Sequence, residues 1–506
     1  MIFLLVFSLV GVTYDCTRIS ASQGYIKVAG SSAARTVFGN YNYELFREYG
    51  LFGYGGYDGR GREDLNREFL EILHENIQTS YRENPSSGVN IYRIKNLQSE
   101  IDENRYLTEK KVFYQQITAF LKHQAASKVT DALWEKISGS TSEKELGENL
   151  NLAGKYESGD YEELKEKSRE ESSEEKEVTA VEDSAGGNPL EAFSHLVRDG
   201  VLGMVCQEKE LSTKEIFPRE GERESEDKAA SREGAADFLQ QFIKNENPFE
   251  SLDKMPKGKN KLLLLAYDRE VCSNYLTKAE EGIQYAQEYL AAGTGEEKSN
   301  LASVINRLLA VRTLLNFTYV AADPVLQEKS LATATALAGF TGRPPVITGV
   351  QYTILLILSF QEACVDVTAL LDGKSVPVIK NTSNFKMKYE EICIGSRELF
   401  RKKAARYGKE KLGAGFSISY EEYLTAFLLL VGEDILRSRT LDIIQQDLRE
   451  KYNQSFCIDD CICESTYQIT YETDYVFDEL PFLDKTQWGE SAGQQCQEVS
   501  YGYKSG

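Results

Sequence analysis

The chain has 506 residues, with 79 acidic against 58 basic side chains and a formal net charge of −21. Hydrophobic content of 41% and aromatic content of 11% are enough for two or three packed units. An acidic balance of this size argues against nucleic acid as a partner, because phosphates demand clustered Lys and Arg, and against peripheral docking on anionic lipid.

The chain opens MIFLLVFSLVGVTY, and no charge appears before Asp15. Fourteen helical residues rise about 21 Å, short of the roughly 30 Å hydrocarbon core. A secretory signal peptide would carry a basic lead-in, which is absent here. The apolar run continues without a break into TYDCTRISASQGYIKVAGSSAARTVF, an amphipathic stretch. An apolar half feeding an amphipathic half predicts one anchor helix over 1–38, with the first half in the bilayer and the second carrying an outer domain. Asp15 and Arg18 would then stand at the membrane interface, Arg18 by snorkelling to the headgroups. A gene start placed too far downstream would explain the shortness of the run. The alternative is that Met1 to Val12 is a buried core helix.

Residues 39–140 read as the first part of the outer domain. Tyr41 to Phe52 is an aromatic-rich turn ending at Gly50. Gly53, Gly55, Gly56, Gly59 and Gly61 follow in a flexible loop, without the Lys-Ser/Thr spacing of a phosphate cradle. Glu63 to Gln78 predicts a helix, Val89 to Leu97 a strand and Leu107 to Ile137 a long amphipathic helix. Residues 141–187 form a polar Ser/Glu/Lys linker.

Residues 188–455 predict a helical domain. Its helices include Tyr275 to Ala291, Leu301 to Val320, Ile347 to Leu371, Tyr420 to Val431 and Glu433 to Tyr452, and Pro218 to Gly234 is polar. Ile347 to Leu371 is the most apolar internal segment. Its uninterrupted run is only about 12 residues before Gln361, Glu362 and Asp366, whereas a span needs about 20, so it predicts a buried core helix. Residues 456–506 change period to a β-rich, Cys-containing segment. Strands at Tyr467 to Phe477 and Cys496 to Tyr503 would pair with the Val89 segment. The predicted class is therefore α+β, predominantly helical, with a small sheet.

Motifs of chemistry are scarce. His74, His123 and His195 are scattered over amphipathic helices, and neither a nucleophile elbow nor a dinucleotide fingerprint is present. Glu421-Glu422 is an adjacent carboxylate pair of the kind an acidic chain produces by chance. Cys457, Cys461, Cys463 and Cys496 allow three readings: plain thiols, one or two disulfides if the segment is outside the cell, or a zinc site that lacks paired-knuckle spacing. The expectation is a non-enzyme without cofactor or metal.

Several blocks resemble an uncharacterised clostridial family catalogued as domain of unknown function 5702. Asp15-Cys16-Thr17-Arg18 stands where the family has an acidic-x-x-Arg signature, and NYNYELFREYGLF (Asn40 to Phe52) is similar to its next block. The NF-x-Y turn at Asn316 to Tyr319, SFQEACVDVTALLDGKSVPVIK (Ser359 to Lys380), SYEEYLTAFLLL and RTLDIIQQDLR are also similar. The resemblance implies a Firmicutes surface protein with a pilin-like N-terminal helix, encoded near tight-adherence pilus loci. Its partners would be the membrane and other pilus or pseudopilin subunits, and no functional residue carries over. The expected function is a minor-pilin-like or accessory component of such a pilus. A surface adhesin or carbohydrate-binding module, for which Trp488 would be a ligand platform, is the first alternative, and a hydrolase the second.

Overall fold

The computed structural model describes residues 2–57, 61–82, 92, 94–125, 188–198, 200–206, 211–219, 259–407, 417–473 and 494–503. The linker 141–187, most of Pro218 to Gly234, and both tryptophans, Trp134 and Trp488, lie outside the described residues. The fold is α+β and predominantly helical, with a small antiparallel sheet.

The first elements are α1 (Ile2–Gly39), α2 (Tyr43–Tyr49), α3 (Arg62–Arg82), β1 (Ile94–Tyr106) and α4 (Lys110–Ala125). The helical body follows with α5 (Pro189–Arg198), α6 (Val201–Val205), α7 (Lys259–Val271), α8 (Ala286–Ala292), α9 (Glu297–Ala322), α10 (Pro324–Ala338) and α11 (Pro344–Leu371). After β2 (Val376–Pro377) come α12 (Arg397–Ala404), β3 (Ser417–Ile418), α13 (Tyr420–Leu430), α14 (Glu433–Lys451), β4 (Ile462–Thr473) and β5 (Gln494–Gly502). The main sheet has order β1-β4-β5, antiparallel throughout, and β2 and β3 make a separate short ribbon. The three strands of the sheet are those that the alternating pattern pointed to. β1, however, begins at Ile94, and Val89 to Ile91 lie outside the described residues.

Among the described residues two apolar cores result. The smaller is built where α1 and α3 cover one face of the sheet. Ile26, Ala33, Ala34 and Val37 of α1 and Leu65, Phe69 and Leu73 of α3 meet Tyr467, Ile469, Tyr471 and Val499. Small residues let α1 approach closely: a Cβ on Gly30 would lie 2.8 Å from Ile469 Cδ1. Phe69 stacks on Tyr467 with centroids 3.8 Å apart. The larger core fills the helical body, including α7, α9, α11 and α14, and also takes in Leu45 and Tyr49 of α2 and Phe113 and Ile117 of α4. The cores therefore cut across the divisions read along the chain. The C-terminal strands close a sheet with β1, while α2 and α4 belong to the helical body.

Three local expectations change. Tyr275 to Ala291 is helical only from Ala286. Asn274 Oδ1 instead accepts from the backbone N–H of Leu276 (2.9 Å) and Thr277 (3.1 Å), a side-chain turn that competes with a helix start. The Gly-rich loop is packed rather than flexible over Gly53 to Gly56, all buried. Gly56 has φ +79, its carbonyl accepts from Cys457 N at 2.9 Å, and a Cβ there would lie 2.7 Å from Cys461 Sγ. The expected long helix over 107–137 is seen as α4, ending at Ala125, with the remainder outside the described residues.

α11 is long and apolar enough to cross a membrane by length and composition, but 89% of its most apolar window is buried in the protein. It is the core helix that Gln361, Glu362 and Asp366 implied.

Candidate functional site

α1 changes environment along its length. Ile2, Phe3, Leu5, Val6, Phe7, Leu9, Val10 and Val12 are exposed large hydrophobics, with Phe3 at 81%. From Asp15 onward a stripe at Asp15, Arg18, Ser22, Ile26, Ala29, Ala33 and Val37 is buried. That spacing of three and four residues is one face of a helix. Asp15 and Arg18 are the first members of this stripe. They are 7% and 4% exposed and paired at 3.4 Å, one turn apart. They mark the switch between the exposed and the packed half, but they turn inward rather than reaching outward as a snorkelling pair would. The reason is helical phase: both lie above Ser22 and Ile26, on the face that meets the sheet. Ser22 Oγ lies 3.3 Å from Tyr471 Oη.

At the other end of α1, a cleft of about 920 Å³ opens between α1, α2, α4 and the end of β5. An aromatic run walls it. Tyr503 and Phe52 have centroids 5.2 Å apart and Phe52 and Phe46 4.5 Å, and Phe38, buried behind the wall, lies 5.2 Å from Tyr503. The wall is held rigidly. Gln116 of α4 takes both backbone groups of Phe52: Phe52 N donates to Oε1 at 2.6 Å and Nε2 donates to Phe52 O at 2.8 Å. Tyr503 Oη donates to Phe38 O at 2.7 Å. Gly50 ends α2 with φ +64, the left-handed conformation that favours glycine, and the Phe120 ring fills the space a Cβ would need. Arg35, Arg47 and His123 also line the cleft, and no carboxylate is among its described lining residues. Arg47 is braced by Glu48 and Tyr452, with its guanidinium 5.1 Å from the Tyr452 ring centroid. The block Asn40 to Phe52 supplies part of this wall. Arg35, Gln116 and Tyr503 carry no pattern that would single them out.

The strongest electrostatic feature is a closed cluster inside the helical body. Arg312 donates to Asp366 Oδ2 through Nε (3.0 Å) and Nη2 (2.8 Å), and Asn316 Nδ2 donates to the same oxygen at 3.0 Å. Lys380 Nζ reaches Glu362 at 2.6 Å and Asp366 Oδ1 at 2.7 Å. Tyr407 Oη donates to Asp366 Oδ1 at 2.7 Å, and the N–H groups of Lys386 and Met387 donate to Glu362. All four charged side chains are 0% exposed. Burial pushes the Asp366 carboxyl upward, but Arg312 and Lys380 outweigh it and hold the group below 3.8. Two cations face two anions with every Asp366 oxygen bonded, and no substrate reaches them. This is the chemistry of a structural tie between α9, α11, the segment from β2 to α12 and Tyr407 just past α12. The sequence blocks at 316–319 and 359–380 contain Asn316, Glu362, Asp366 and Lys380, although nothing in them pointed to Arg312 or Tyr407.

The four C-terminal cysteines do not form one bonded set, and all nine thiols are free. Cys496 pairs across the sheet with Thr470, about 20 Å along β4 from Cys463, whereas a disulfide needs Cα atoms within about 7 Å. Cys461 and Cys463 are buried, and burial pushes both thiols upward, away from the reactive thiolate. Cys463 Sγ lies 3.2 Å from Gln116 Nε2, beside the cleft wall. Among the described residues no group of three or more His, Cys, Asp or Glu side chains could hold a metal ion.

The remaining singled-out residues have structural positions. Glu422 closes a capping box with Ser419, and Glu421 pairs with Arg269 at 3.2 Å, so the two carboxylates diverge. His74 and His123 are exposed, and the side chain of His195 lies outside the described residues.

No curated protein and no solved structure matches the chain. A family model matches residues 179–473, which contain α5 to α14 and β2 to β4, and leave α1 to α4, β1 and β5 outside. The chain belongs to that family, a family of unknown function, DUF5702.

Proposed function

We propose that this protein is a non-catalytic, membrane-anchored surface protein, a minor-pilin-like or accessory component of a tight-adherence-type pilus. The observation that carries the reading is the division of α1. Its first part presents apolar side chains all round, and its second part packs one stripe onto an antiparallel sheet. Apolar surface exposed on every side of a helix is costly in water and is matched by lipid or by apolar neighbours. The packed half fixes the direction in which the anchor leaves the body, as a stem that positions an outer domain must. The bulk of the chain then lies outside the cell, with pilus or pseudopilin subunits as partners.

Fractionation tests the anchor. The full-length chain sediments with membranes, and deletion of residues 1–14 releases it. A full-length chain that stays in the soluble fraction overturns the reading. Co-purification of the intact chain with pilus subunits from a strain carrying such a locus tests the second part, and a chain recovered without them removes it.

The adhesin reading is favoured by one feature only, the aromatic wall of the cleft.

A further inference from the structure

The cleft at the base of α1 has three properties that belong together. First, it runs along an open strand edge. β5 pairs with β4 alone among the described residues. Ser500, Tyr501, Gly502 and Tyr503 all line the cleft, although alternate residues of a strand point to opposite faces. Consecutive residues share one cleft when it follows the strand's free margin, where outward-directed backbone N–H and C=O groups lack a ladder partner. Second, its side walls are aromatic and pinned, by the two Gln116 bonds and the Tyr503 bond already described. Third, its lining carries two arginines and no described carboxylate in a chain of net charge −21: Arg35 on α1, and Arg47, which Glu48 braces from outside the lining.

We infer that this cleft is a docking site for an extended acidic segment of a partner protein, which adds as a strand to the free edge of β5. Main-chain hydrogen bonds to the edge supply affinity without regard to sequence. Alternate side chains of the guest then fall either on the aromatic wall of Phe46, Phe52 and Tyr503 or toward Arg35 and His123. Acidic side chains on the cationic margin select the guest and speed its encounter. The preformed wall lowers the ordering cost on the host side. The inference stands apart from membrane anchoring and concerns how the outer body recognises a neighbour.

The test uses the full-length chain in detergent micelles and two synthetic ten-residue probes, one alternating Glu with Val and one alternating Lys with Val. The Glu probe is expected to bind with strong salt dependence and to slow hydrogen exchange at the amides of 498–502, and the Lys probe is expected not to bind. The double variant Arg35→Glu with His123→Glu changes two exposed side chains away from either core and should weaken binding by about tenfold or more, with an unchanged unfolding midpoint. The proposal is overturned by equal binding of both probes, by binding without protection of the β5 amides, or by no binding at all. The chain's own segment 141–187, with 15 acidic and 6 basic residues, is the competing occupant. A chain lacking that segment therefore serves as a further arm. Glu-probe binding that appears only after its removal assigns the site to the chain itself and overturns the assignment to a partner.

Discussion

Among the described helices, α1 and α11 both carry long apolar runs, and the runs end in opposite places. α11 is buried over 89% of its most apolar window, while the first third of α1 stands exposed. Hydrophobic composition alone does not distinguish them. The position of charge does. α11 carries Glu362 and Asp366 one turn apart in its second half, and the fold answers both with Lys380 and Arg312. A helix that brings carboxylates inward, and finds cations waiting, is part of a protein core. α1 postpones its first charge to Asp15, and from that residue on it joins the smaller core. The contrast teaches that a carboxylate on an apolar helix can go inside where the fold supplies its cation.

The largest expected effect falls on α11. Asp366→Ala leaves Arg312 and Lys380 without their shared carboxylate and should cost about 3–5 kcal/mol in chemical denaturation at pH 7. Because the folded Asp366 carboxyl lies below 3.8, its contribution is present above the unfolded value and is lost as pH falls through the folded one. The deficit of the variant should therefore shrink below about pH 4, and a deficit independent of pH would remove the ionic account.

The matching change on α1 is Leu9→Asp. It should oppose membrane insertion by about 3 kcal/mol, read as a fall in the membrane-bound fraction, without moving the unfolding midpoint. A fall in folding stability of similar size would show that this half of α1 is packed in the protein, and would break the comparison.

Glu288 on α8 sharpens the helical body's side of it. Burial raises its carboxyl from 4.5 to about 7, against the bonds from Tyr420 Oη and Tyr275 N. A raised carboxyl binds its proton more tightly in the folded state, so this group's contribution declines as pH rises from 4.5 to about 7 and is flat above. Glu288→Gln should be near neutral at pH 4 and more stable than the parent by about 1–3 kcal/mol at pH 8, measured by paired denaturation curves. A variant less stable at both pH values would show that the carboxylate itself holds this site together.

The smallest effect belongs to the exposed face of α11. Leu356→Asp should change stability by no more than about 0.5 kcal/mol and leave the membrane-bound fraction unchanged. Loss of membrane binding on this substitution would mean that α11 touches lipid after all.

Much of the architecture was legible in the sequence because it rests on local periodicity. The stripe on α1, the core character of α11 and the alternation of β4 and β5 each follow from residues a few positions apart, where backbone geometry alone decides which side chains share a face. Two blocks singled out in the sequence likewise fall on real contacts: Asn40 to Phe52 walls the cleft, and Ser359 to Lys380, inside the family match, holds three charges of the buried cluster. What stayed hidden has long-range causes. RTLDIIQQDLR carries two aspartates and two glutamines, yet α14 is buried on most sides. Asp442 accepts from Arg219 and Tyr289, and Asp447 from Tyr49 Oη and Ile283 N. Those partners are distant in sequence, so no window along the chain contains the compensation that makes burial tolerable. The same holds for Arg312 with Asp366 and for Gln116 with Phe52. Periodicity by itself determined which faces of this chain are apolar. Only the tertiary structure decided which polar groups could follow them inside, because a buried charge or amide is stable only where its partner has been brought to within hydrogen-bonding distance.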